Sequence, residues 1–96
     1  MSANPAPNRV TVTDLEAKLL PPFKVMLYND DVNTMDHVVR VLMEVFHMTI
    51  ENAFARMIEA HNDGATICKV EQKEVAEFHS EQLCSYSLCS DIQPAE

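Results

Sequence analysis

The sequence predicts an α/β fold of the α+β type, a small three-stranded antiparallel sheet packed against three helices. Three observations point to it. Short β-forming runs alternate with longer segments whose apolar residues recur at helical spacing. The only glycine, Gly64, falls where a helix must stop and a strand begin. A chain of 96 residues with 47% apolar content suits one small domain with one modest core.

The elements follow in order. Residues 1–22 hold all but one of the five prolines, in Pro5-Ala6-Pro7 and Pro21-Pro22, and read as a flexible N-terminal extension with an extended piece near Val10-Thr11-Val12. An ordered core is expected over 23–90. Lys24 to Tyr28 is apolar enough for a central strand. Thr34 suits an N-cap, and Met35, Val38, Val39, Leu42, Val45 and Phe46 then give one buried stripe. Thr49 caps a second helix, with Glu51 in its first turn and Ala53, Phe54, Met57, Ile58 and His61 on one face. Gly64 after Asn62-Asp63 closes it through a left-handed residue. Ala65 to Val70 is the second strand. Gln72 to Leu83 forms a short helix burying Val75, Ala76, Phe78 and Leu83. Cys84 to Leu88 alternates and reads as the last strand, with residues 91–96 a frayed tail.

Charge narrows the function. Seven basic residues against fifteen acidic give a net charge of -8, which disfavours nucleic acid and anionic membranes as partners. No apolar run approaches the roughly 18–20 residues of a membrane span. Three sparse cysteines, Cys68, Cys84 and Cys89, fit a reducing compartment. With no secretory or transit-peptide pattern at the N-terminus, the expected location is cytoplasmic.

Metal and catalytic readings fail on spacing. A calcium loop starting at Asp31 would need Gly where Asp36 stands and Glu where Leu42 stands. His37, His47, His61 and His79 show no zinc spacing with the cysteines. Cys68 with His61 could imitate a nucleophile pair, but the chain is too small to add a cleft and an oxyanion hole. No catalytic group, metal or cofactor is therefore expected. Asp30 and Asp31, taken alone, fit a solvated capping loop at least as well as acid–base work.

The layout adds something. If the end of the first strand, the start of the first helix and the end of the second converge, Asn29, Asp31 and His61 face a groove walled by Met35, Val38, Met57 and Ala60. Polar groups around a small apolar hole describe a ligand site. An ammonium at the rim and a hydrophobic side chain inside would satisfy it.

These residues carry a family likeness. From about Pro21 to Cys89 the chain resembles the ClpS family, adaptors that recognise destabilising N-terminal residues for ATP-dependent Clp proteases. The resemblance rests on Pro-Pro-Phe-Lys-Val-Met-Leu-Tyr-Asn-Asp-Asp, then Thr-Met-Asp-His-Val-Val, Phe-His-Met, Ala-His before Gly64, Ile-Cys and Glu-Val-Ala-Glu. It implies the sandwich also seen in the ribosomal stalk protein's C-terminal domain. It further implies an N-degron adaptor that binds the free α-amine and large side chain of an N-terminal Leu, Phe, Tyr or Trp and delivers the substrate to a Clp AAA+ unfoldase.

By that resemblance Asn29 and His61 take the amine with Asp31 assisting, and Asp30 supports the loop and contacts the first peptide unit. Met35 gates against β-branched side chains, and Val38 and Met57 line the pocket. Asn33 stands where the family has Thr, Val32 replaces a frequent aromatic, and Ala60 a larger aliphatic. Glu74 marks the docking site for the N-domain of a ClpA- or ClpC-type unfoldase, with His79 where a basic residue is expected, and the extension before Pro21 engages the unfoldase during delivery. The adaptor is expected to be a monomer. The competing expectation is a stalk-like interaction domain that docks on a partner without any pocket.

Overall fold

The computed structural model describes residues 20–95, so most of the N-terminal extension lies outside it. Within those bounds the order is β1 (Phe23–Tyr28), α1 (Met35–Phe46), α2 (Ile50–Asp63), β2 (Ala65–Glu71), α3 (Lys73–Ser85) and β3 (Cys89–Pro94). The sheet runs β2-β1-β3, with β1 antiparallel to both neighbours. The expected architecture of three strands and three helices is the one observed.

The sequence signals at the helix ends act as read. The Thr34 side chain accepts from the His37 N–H at 3.1 Å, and the Thr49 side chain from the Asn52 N–H at 3.2 Å. Each satisfies a donor that the first helical turn leaves unpaired. Gly64 adopts φ 91° and returns its N–H to the Ala60 carbonyl. The core gathers Val25 and Leu27 of β1, Leu42 of α1, Ala53 of α2 and Leu83 of α3, all almost fully buried.

Two expectations fail. The run Cys84 to Leu88 is not the last strand. Helix α3 continues through Ser85 and closes in a Schellman turn, in which Ser87 N–H donates to the Cys84 carbonyl (2.9 Å) and Leu88 N–H to the Leu83 carbonyl (3.1 Å). Leu83 and Leu88 bracket that turn and both belong to the core, which explains why the helix overrides local alternation. The strand therefore starts at Cys89, and Asp91 to Pro94, expected to fray, pair with β1. The polar residues and the proline are tolerated because β3 is an edge strand. The second failure concerns helix phase. On α3 the buried residues are Ala76, Ser80 and Leu83, leaving Val75 and Phe78 exposed, and on α2 Phe54 is 53% exposed.

The β1–α1 loop is pinned from inside. The Asp30 carboxylate accepts from the backbone N–H groups of Val32 and Asn33, both at 2.8 Å, and from the Asn33 side-chain amide at 3.0 Å. The Asn33 backbone N–H, with the other donors, holds the Asp30 carboxyl below its usual range against a smaller opposing effect of burial. The same Asn33 amide donates to the Ser87 carbonyl at 2.7 Å, and His37 Nε2 lies 2.8 Å from the Tyr86 carbonyl. The loop is thus braced against the α3 turn.

Two predictions follow from the turn and the loop. Ser87 holds φ 71° without being glycine, a conformation that costs an L-residue about 1 kcal/mol. Ser87→Gly keeps the carbonyl that Asn33 uses and should raise stability by about 0.5–1 kcal/mol in urea denaturation, whereas Ser87→Val should lower it. Asp30→Ala should cost about 1–3 kcal/mol at neutral pH. Because folding lowers the Asp30 pKa, its contribution is present above the ordinary carboxylate range and disappears as pH falls through the folded value. The stability difference between native protein and variant, followed by denaturation across acid pH, should shrink accordingly.

Candidate functional site

The last residue before the loop connects three elements. Asn29 follows β1, and its backbone N–H donates to the Gly64 carbonyl at 3.0 Å. That bond ties the end of β1 to the end of α2, while the pinned loop leads into the start of α1. The convergence expected from the sequence is present.

The three ends enclose a cavity of about 220 Å³. Its lining contains Asn29, Asp30, Asp31, Asn33, Met35, Val38, Met57, Ala60 and His61, together with Leu27 and Tyr28. Every residue singled out around the pocket is brought there. Leu27 and Tyr28 were missed because β1 reads as core throughout, and only the register shows that its last residues floor the hole. No residue of β3 contributes to this lining.

The lining divides by chemistry. Leu27, Val38, Met57 and Ala60 are buried or half-buried and form apolar walls, with Met35, 48% exposed, at the mouth. Asn29, Asp31 and His61 supply the polar groups. Among the described residues, no hydrogen bond occupies their side chains, whereas Asp30 and Asn33 are engaged with each other and with backbone. The two adjacent acids therefore have different tasks. Asp30 builds the loop, and Asp31 leaves its negative charge at the rim. A cation beside an apolar side chain matches such a cavity.

Other sequence candidates separate from the site. Cys68 lies half-buried in β2, and burial pushes its thiol up to about 12, despite nearby Arg56. It is held as a thiol and packs as a small apolar group. Among the described residues no cluster of His, Cys, Asp and Glu can hold a metal ion, and no helix is long and apolar enough to cross a membrane. Glu74 stands exposed in the first turn of α3. The His79 side chain is 17% exposed, with Nδ1 2.5 Å from Glu71 and its ring against Phe46 at 4.9 Å. The Glu71 contact spans a strand–helix junction and the Phe46 contact joins two separate helices, so no local pattern announces either.

A family model described as ATP-dependent Clp protease adaptor protein ClpS matches residues 18–91. The chain is 42% identical over 83 residues to the ATP-dependent Clp protease adapter protein ClpS of Synechococcus elongatus, covering 85% of this chain and 87% of that one. It is 40% identical over 91 residues to the chloroplastic adapter protein CLPS1 of Arabidopsis thaliana, covering 92% of this chain and 57% of that one. Among solved structures it resembles ClpS2 of Agrobacterium tumefaciens bound to L-phenylalaninamide, with a TM-score of 0.72 and 29% identity, covering 77% of this chain and 96% of that one. A family match across most of the chain, with relatives this similar over nearly its whole length, shows that the chain belongs to the ClpS family of ATP-dependent Clp protease adaptors.

Proposed function

We propose that this adaptor binds the N-terminal residue of its substrates, with the free α-amine at the rim and the side chain in the hole. The cavity carries the reading: apolar walls meet an unengaged amide, carboxylate and imidazole at one mouth. An α-ammonium is largely charged near neutral pH. Asn29 offers a carbonyl oxygen, neutral His61 a ring nitrogen, and Asp31 negative potential. A volume of about 220 Å³ exceeds the roughly 150 Å³ known to admit benzene, so Leu, Phe, Tyr and Trp are the side chains we assign to it. Burying one contributes roughly 1.5–3 kcal/mol. The phenylalaninamide held by the Agrobacterium relative pairs a free amine with such a side chain, which supports the assignment.

Delivery is to a Clp-protease unfoldase of the ClpA or ClpC type. Docking on its N-domain is assigned to the exposed start of α3 around Glu74, with the extension before Pro21 acting during handover. His79, braced on Glu71, belongs to that surface in this reading. The adaptor works as a monomer in this reading. Three free cysteines accord with a reducing compartment, for which we propose the bacterial cytoplasm.

Two experiments test the pocket. Fluorescence anisotropy with labelled peptides should show saturable binding of Leu- and Phe-led sequences, and acetylating their N-terminus should weaken binding about a hundredfold or more, since charge and donors both go. Equal binding of acetylated peptide would leave a pocket-independent docking domain as the better account. Met35→Ala should open the mouth and raise the relative affinity of Val- and Ile-led peptides several-fold in the same assay. Unchanged discrimination would remove Met35 as the gate.

A further inference from the structure

Helix α2 carries an apolar surface that the fold does not use. Ile50 is 58% exposed and Phe54 53% exposed. They stand one helical turn apart, and the same stripe continues through Met57 to His61, at i, i+4, i+7 and i+11. The upper half of this stripe, Met57 and His61, lines the cavity. The lower half is solvent-facing, on the same face of the helix as the half that lines the cavity. The other borders of the mouth differ. The loop shows the single apolar side chain Val32 beside Asp31, and α1 shows Met35 at the mouth, followed by the Asp36–Arg40 ion pair at 3.0 Å.

We propose that Ile50 and Phe54 form a second subsite for the substrate polypeptide, seating an apolar side chain downstream of the residue in the cavity. This rests on the N-terminal-residue reading above and deepens it by adding a sequence preference beyond the first position. Spacing sets the register. Phe54 lies seven helical residues below His61, or about 10 Å along the axis. An extended peptide covers about 3.3–3.6 Å per residue. The chain therefore reaches Phe54 about three residues after the one whose amine meets His61, which places the subsite at the ligand's fourth residue. Phe54 is suited to the task because an aromatic ring offers a large contact area at low entropic cost.

The test uses the full chain and labelled peptides that begin with Leu, are otherwise Ser and Gly, and carry one further Leu at position two, three, four, five or seven. Anisotropy should show the tightest binding with that Leu at position four, about five- to tenfold above the peptide lacking it. Phe54→Gln and Ile50→Gln, both exposed substitutions that preserve helix propensity, should flatten this dependence while leaving affinity for the simple Leu-led peptide unchanged. Position-independent affinity in the native protein, or a dependence unaltered by both substitutions, would overturn the subsite. Failure of every Leu-led peptide to bind would instead sink the N-terminal-residue reading itself. Concentration-dependent dimerisation in sedimentation, abolished by Phe54→Gln, would assign the stripe to a second copy of the chain and overturn the proposal.

Discussion

One shared side chain governs this molecule: the Asn33 amide, which donates to both the Asp30 carboxylate and the Ser87 carbonyl. Without it the segment between β1 and α1 is a short polar loop with several accessible conformations, and ordering it would carry the usual entropic cost. With it, the loop is fixed at both ends, by its own aspartate and by the turn that closes α3. The cavity inherits its shape from that constraint, because the loop determines where Asp31 and the first residues of α1 stand. A carboxylate that looks functional in sequence is thus spent on geometry, and its neighbour is left with the charge.

The same logic explains why β1 is the organising strand. It lies between β2 and β3, its middle residues are buried, and its last residues floor the pocket. One bond from the Asn29 backbone to Gly64 carries the end of α2 to the same place. Gly64 therefore serves twice: its left-handed conformation ends a helix, and its carbonyl positions the site. Sites built this way are rigid because they stand at the ends of packed elements instead of on a free loop.

Much of the fold was legible because the signals were local. Thr34, Thr49 and Gly64 act within a few residues of themselves, and their hydrogen bonds are the ones their positions imply. The pocket lining was legible because strand and helix ends had to meet in this layout. What escaped reading depends on distant contacts. The last strand was displaced because Leu88 turns back onto the core through a left-handed serine, where glycine is the usual signal. Val75, Phe78 and Phe54 were expected inside because period alone leaves the phase of an apolar stripe uncertain by one position. Glu71 meets His79 across a strand–helix junction, and nothing near either residue reveals it.

The placement of β1 also bears on force. The chain enters β1 at Phe23, which pairs with Pro94, so the first and last strands of the described residues meet at one side and the cavity lies at the other. Tension applied between the two ends would peel β3 from β1, one rung after another, beginning at Phe23 and Pro94. Tension between Phe23 and the loop beyond Tyr28 runs along β1 instead. It loads the ladders to β2 and β3 together, in shear. The domain is therefore mechanically anisotropic, yielding when drawn from its two ends and resisting when drawn between one end and the cavity.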